Sequence, residues 1–231
     1  IYDAQDQLTL VKQCMKVAQI SADAFPPKTL LHHISGFKND FLLPEDMQPE
    51  TMSYGHQLKA AGLYSVYQSA LKKNNALDFD DLLVFTVRLF QEYPSLRTHY
   101  NDMFRYILVD EFQDTNAAQY KLVRLLSQSH NNICVVGDDD QSIYRWRGAN
   151  IENILKFEND FPGTTVIKLE ENYRSTQNIL NAAGSVVREN RNRRDKTLWT
   201  QNEKGSPVLC YKAEDESDEA DFVCEKILAL N

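Results

Sequence analysis

Three short apolar runs in this chain each end in a dense cluster of polar side chains. Tyr106-Ile107-Leu108-Val109 leads into Asp110-Glu111-Phe112-Gln113-Asp114, and Ile133-Cys134-Val135-Val136 into Gly137-Asp138-Asp139-Asp140-Gln141. Val166-Ile167-Lys168-Leu169 leads into Glu170-Glu171-Asn172-Tyr173-Arg174. Adjacent carboxylates at the end of a strand suit nucleotide hydrolysis, because the first can hold hydrated Mg²⁺ while the second orients and deprotonates an attacking water. The same dipeptide can equally cap the helix that follows, so Asp110-Glu111 alone decides nothing.

Such clusters work only if strands bring them to one edge of a sheet, where ligands of open α/β folds bind. From about residue 104 the chain reads that way. Two apolar runs flank a helical stretch (Ala118, Leu122, Leu125, Leu126), a βαβ unit and hence a parallel sheet. A helix around Ile151, Ile154 and Leu155 leads to the third run, Ser175 is placed to cap a helix (Ile179, Leu180, Ala183, Val187), and Pro207–Tyr211 reads as a fourth strand. An acidic helix with Val223, Ile227 and Leu230 follows.

The first hundred residues read as helices with no strand. Leu8, Val11, Met15 and Ala18 recur at helical spacing until Pro26-Pro27, Leu30, Ile34 and Phe37 form a second stripe, and Pro44 and Pro49 mark a loop. Leu63, Val66, Tyr67, Ala70 and Leu71 form a third stripe. Asp78, with Asp81 three residues on, caps a fourth that runs to Pro94. The fold class expected is α/β, an incomplete parallel-sheet core preceded by a mostly helical part, with sheet edges left exposed.

Of the 231 residues 42% are hydrophobic and 25% charged, enough for one large or two small domains with a core. There is no apolar run of membrane-spanning length and no secretory leader, so a cytoplasmic protein is expected. Four scattered cysteines without a C-x-x-C pair argue against a zinc site or a disulfide framework, and most are expected in the core. The net charge of −8 is concentrated at the C-terminal end, in the run from Glu214 to Glu225, which reads as a solvated helix face. A broad basic surface therefore cannot be the main basis of any nucleic-acid binding.

The longer strings around the carboxylates carry a specific resemblance. LVDEFQDTN at 108–116, VGDDDQSIYRWRGA at 136–149 and EENYRST at 170–176 resemble three consecutive signature motifs of the UvrD/Rep-type superfamily 1 DNA helicases. The helical region with LDFDDLL at 77–83 looks like that family's helical insertion, and the segment from Trp199 looks like the start of its second motor domain. The resemblance implies residues 1–103 as the insertion, 104–166 as the remainder of the first RecA-like motor domain and 167–231 as the beginning of the second. It further implies ATP and Mg²⁺ as cofactors, with Asp110 and Glu111 at the metal and Glu111 as catalytic base. Gln141 would contact the γ-phosphate, Tyr173 would stack on adenine, and Arg174 would act as an arginine finger. Tyr144, Trp146 and Arg147 would bind single-stranded DNA by stacking and charge. Taken alone, Trp146 could be a core residue, but its flanking Arg145 and Arg147 favour exposure.

No glycine in the chain is followed by lysine, so no phosphate-binding Gly-x-x-x-x-Gly-Lys-Ser/Thr loop is present. The family places that loop upstream of these motifs, so the segment is expected to be part of a longer motor and inactive alone. By resemblance that motor moves 3′ to 5′ on single strands and opens duplex junctions, with DNA-repair or replication proteins as partners. A helicase-nuclease motor subunit and a non-catalytic DNA-binding module are the alternatives. A phosphatase-like or receiver domain would leave QSIYRWRG unexplained. His32-His33 reads as partly buried structure rather than a metal site. The basic cluster Arg188, Arg191, Arg193, Arg194 and Lys196 reads as a solvated helix end.

Overall fold

The computed structural model describes residues 1–48, 55–190, 193 and 196–230, so Pro49, Arg191 and Arg194 lie outside the described residues. The fold is mostly helical with one small parallel sheet, and it divides into two compact units, Ile1–Thr164 and Thr165–Asn231.

The first unit opens with α1 (Ala4–Val17), whose N-terminus is fixed by a reciprocal cap between Asp3 and Asp6. Helix α2 (Pro27–Asn39) starts on a proline whose missing N–H would have had no helical partner. With α3 (His56–Lys73) these helices bury Leu10, Val11, Met15, Leu30, Ile34, Leu63 and Tyr67 in one core. Helix α4 (Phe79–Glu92) begins with the expected cap: Asp78 accepts the Asp81 N–H at 2.9 Å and Asp81 accepts the Asp78 N–H at 3.1 Å.

Both aspartates have a second task. The ammonium group of Lys38, fully buried on α2, donates to Asp78 at 2.6 Å and to Asp81 at 2.8 Å. Tyr67 Oη also donates to Asp78 (3.0 Å), and Gln68 Nε2 to Asp81 (3.0 Å). Burial holds the Asp81 carboxyl above its ordinary range, an upward shift that the Lys38 charge opposes only in part. One buried ionic knot thus ties α2, α3 and α4 together.

Pro94 ends α4 and, as the first residue of a helix, also starts α5 (Pro94–Met103), which had not been expected. Strand β1 (Ile107–Val109) pairs in parallel with β2 (Ile133–Val135), Ile107 opposite Ile133 and Val109 opposite Val135, with α6 (Ala117–Ser127) as the crossover. The inward side chains Val109, Ile133 and Val135 pack on Phe112, Phe157 and Phe161. Phe112 comes from the turn after β1, Phe157 from the one-turn helix α8 (Phe157–Asp160), which follows α7 (Glu152–Leu155), and Phe161 from the position just after α8. The alternate side chains of the two runs, Tyr106, Leu108, Cys134 and Val136, are exposed, leaving one face of the sheet bare.

Two of the four expected strands do not form. In 166–169 and 207–211 the apolar side chains stand in solvent, with Leu169 78% and Leu209 68% exposed. A strand needs a neighbour to take its N–H and C=O groups, and among its described residues the second unit supplies only an isolated bridge between Glu171 and Trp199. The helices among the described residues of that unit are α9 (Gln177–Val187) and the acidic α10 (Glu216–Leu230), which buries no residue. The cap of α9 falls on Thr176 rather than Ser175, because Asn172 Oδ1 takes the Arg174 and Ser175 N–H groups in a turn just before the helix. The cysteines also differ from expectation. Cys14 is buried, whereas Cys134 lies on the bare sheet face, Cys210 in an unpaired run and Cys224 on α10, all exposed. His32 is exposed and His33 half-buried on α2.

Candidate functional site

The parallel pairing of β1 and β2 sets their carboxyl ends side by side, and two backbone bonds lock the chain beyond them. Val136 N–H donates to Val109 O at 2.8 Å, and Phe112 N–H to Val136 O at 2.9 Å. Between those bonds the chain leaves β1 through Asp110 and Glu111. Glu111 has left-handed backbone angles (φ 50°, ψ 40°), a conformation that costs a non-glycine residue about 1–3 kcal/mol. Asp110 Oδ1 accepts the Glu111 N–H at 2.8 Å, which helps hold the turn. Both carboxylates are exposed and border an open cavity of about 340 Å³ that also touches Asp114, Thr115 and Gln119.

Beyond β2, Asp138 caps a short turn: Oδ1 accepts the Asp140 N–H at 3.0 Å, and Oδ2 accepts Gln141 Nε2 at 2.7 Å. Carboxylate oxygens of Asp138, Asp139 and Asp140 lie within 4.8 Å of one another. Gln113 joins the two sides. Its Nε2 donates to Glu111 Oε2 at 2.7 Å, while its Oε1 accepts the Asp138 N–H at 3.0 Å. Asp114 is half-buried, with Oδ1 lacking a partner among the described residues; burial, then the charge of Glu111, raises its carboxyl above the usual range.

The donor set suits a hard divalent ion, since Asp110 and Glu111 offer oxygen ligands in an open position. It supplies no cradle for a triphosphate, because neither backbone loop nor lysine of the required pattern occurs in the sequence.

Beginning three residues beyond Gln141, Tyr144, Trp146 and Arg147 form one exposed patch. A short turn over Arg145–Arg147, closed by Gly148 at φ 88°, brings the Arg147 guanidinium 5.0 Å from the Tyr144 ring and 4.6 Å from the Trp146 ring. Trp146 is 66% exposed, so it is no core residue. The turn is anchored underneath: Asn150 N–H donates to Thr115 O (3.0 Å), and Asn153 Nδ2 reaches both Thr115 O and Oγ1.

Tyr173 and Arg174 lie in the second unit and are described within it. Tyr173 is 79% exposed and donates its hydroxyl proton to Glu171 at 2.8 Å, a bond that raises its pKa. Among the described residues the Arg174 guanidinium has no carboxylate partner; Glu170 instead accepts the Thr197 N–H and Glu171 the Tyr173 hydroxyl. Asp110, Glu111 and Gln141 thus sit at neighbouring strand ends and Tyr144, Trp146 and Arg147 in one turn. Gln113 was not singled out from sequence, although it stands inside the DEFQD string.

Residues 1–162 match the UvrD/REP helicase N-terminal domain and residues 167–231 the UvrD-like helicase C-terminal domain. The ATP-dependent DNA helicase PcrA of Staphylococcus aureus is 48% identical over 228 residues, and that of Staphylococcus epidermidis 47%. The match covers 99% of this chain but 31% of those relatives. With both domain matches in sequence order over nearly all its length, the chain belongs to the UvrD/REP helicase family.

Proposed function

We propose that this chain is part of an ATP-dependent DNA helicase that couples nucleotide hydrolysis to 3′–5′ movement along single-stranded DNA. Residues 1–103 are read as the helical insertion, 104–166 as the remainder of the first motor domain and 167–231 as the beginning of the second. The observation that carries the reading is the placement of Asp110-Glu111 and Gln141 at two adjacent parallel strand ends, with the aromatic turn following directly in sequence.

In this reading Asp110, with Glu111 beside it, holds Mg²⁺, which when bound neutralises charge on the phosphate oxygens. Glu111 takes the proton of the attacking water, and its carboxylate is presented to solvent by the left-handed turn. Gln141, held by Asp138, reports the state of the terminal phosphate to the chain that leads into Tyr144–Arg147. Tyr144 and Trp146 stack bases and Arg147 pairs with phosphate. Tyr173 stacks on adenine, and Arg174 stabilises charge on the transferring phosphoryl group. Cytoplasmic repair or replication of DNA, acting at single-strand to duplex junctions, is the setting this activity fits.

The test is Glu111→Gln in a full-length helicase carrying this segment. DNA-stimulated ATP turnover should fall by about 10²–10⁴ while nucleotide affinity is kept. Turnover close to the parent's would remove Glu111 as the base, and a full-length parent with no DNA-stimulated turnover at all would favour a non-catalytic DNA-binding module.

A further inference from the structure

We propose that Gln113 is a positioning residue for hydrolysis: it holds the Glu111 carboxylate and makes that hold depend on the loop carrying Gln141. The inference rests on the reading of Glu111 as catalytic base and adds a residue that acts through it.

Gln113 is fully buried, which is unusual for a glutamine and demands that its amide be satisfied. Both ends are. Nε2 donates to Glu111 Oε2 at 2.7 Å and more weakly to Asp114 Oδ2 at 3.3 Å, and Oε1 accepts the backbone N–H of Asp138 at 3.0 Å. The Gln113 carbonyl also accepts the Ser142 hydroxyl at 3.4 Å. One side chain therefore spans from the carboxylate after β1 to the turn after β2 in which Asp138 grips Gln141.

The amide fits here only because residue 137 is a glycine. A Cβ on Gly137 would lie 2.7 Å from Gln113 Oε1, 2.7 Å from Ile154 Cδ1 and 3.3 Å from Gln113 N. The amide thus lies against Gly137 and is held at its two ends by the Asp138 N–H and the Glu111 carboxylate. Because one end accepts and the other donates, only a neutral amide satisfies both: a carboxylate would face Glu111 with like charge, and an alkyl chain would strand the Asp138 N–H. If the Asp138–Gln141 turn shifts, Oε1 loses its partner and the grip on Glu111 loosens. The base is held for hydrolysis only while the turn is seated.

The experiment uses a full-length helicase carrying this segment, with ATPase measured at saturating single-stranded DNA and in single turnover. Gln113→Leu and the nearly isosteric Gln113→Glu should both lower kcat about ten- to a hundred-fold, with KM for ATP within about two-fold. In a Glu111→Gln background neither should lower the rate further, because a residue acting through Glu111 has nothing left to position. Parent-like kcat in Gln113→Glu would mean that Gln113 only supports the Asp138 backbone, and would overturn the inference. So would a further drop in the double variants equal to that in the singles, the mark of an independent structural role. Undiminished turnover in Glu111→Gln alone would instead defeat the reading of the base itself and take this inference with it.

Discussion

Trp146 and Arg147 share one short turn but would contribute to DNA binding through different physics. A stacked ring gains roughly 1–3 kcal/mol per base irrespective of salt, whereas an arginine on a phosphate releases counterions, with a slope of about −0.7 in log K against log salt on single strands. In a full-length helicase carrying this segment, Trp146→Ala should weaken single-strand binding about five- to a hundred-fold with the salt slope unchanged. Arg147→Gln should make the slope shallower by about 0.7. Fluorescence anisotropy across a KCl series measures both, and unchanged affinity in the tryptophan variant would leave the exposed ring without a DNA role. Arg174 bears on a different step. Its guanidinium has no carboxylate partner among the described residues, so a surface ion pair does not account for it. Arg174→Lys should cost about 10³–10⁵ in ATP turnover while nucleotide binding falls far less, because an ammonium cannot reproduce the planar fork. Steady-state ATPase near the parent level would remove the finger role.

At the scale of elements, the knot between α2, α3 and α4 sets what the helical part tolerates. Lys38→Ala would leave Asp78 and Asp81 buried without their cation, which costs about 3–5 kcal/mol. Arg88, in a partly exposed pair with Glu92 on the same α4, should cost about 0.5 kcal/mol or less when changed to alanine. Urea unfolding of the chain separates the two, and equal midpoints would mean that the knot contributes nothing beyond packing. Half of this knot was legible in the sequence. Asp78 and Asp81 three residues apart before an apolar stripe announce a cap, a local signal. Lys38 lies forty residues earlier, and nothing in its neighbours marks it as buried. The strands divide in the same way. Ile107–Val109 and Ile133–Val135 formed because a helix of suitable length joins them, whereas 166–169 and 207–211 carry the apolar signal but join no sheet among the described residues. Hydrophobic runs tell what would be buried, not what will cover it. Gln113 was illegible for a related reason: its task depends on Gly137 beside it, twenty-four positions along the chain and adjacent only once the sheet exists.

At the scale of the whole molecule, the bare face of the sheet matters most. Leu108 on β1 stands 78% exposed, with Tyr106 and Val136 just beyond the strand ends 77% and 50% exposed, and among the described residues each strand also has an unpaired edge. Such a face invites association. The isolated chain should therefore self-associate with rising concentration despite its charge of −8, and Leu108→Lys should reduce this in sedimentation velocity. A monomer at all concentrations would show that the acidic surface outweighs the patch. The same face carries its own reporter. Cys134 stands on it, Cys14 is buried, and changing Cys210 and Cys224 to serine would leave a single accessible thiol in the middle of the patch. Its maleimide labelling rate would then be a clock for coverage: fast in the isolated chain, and slowed in any longer protein or assembly that lays another strand or helix across the sheet. Equal rates in the two would mean that this surface stays open to water wherever the segment is used.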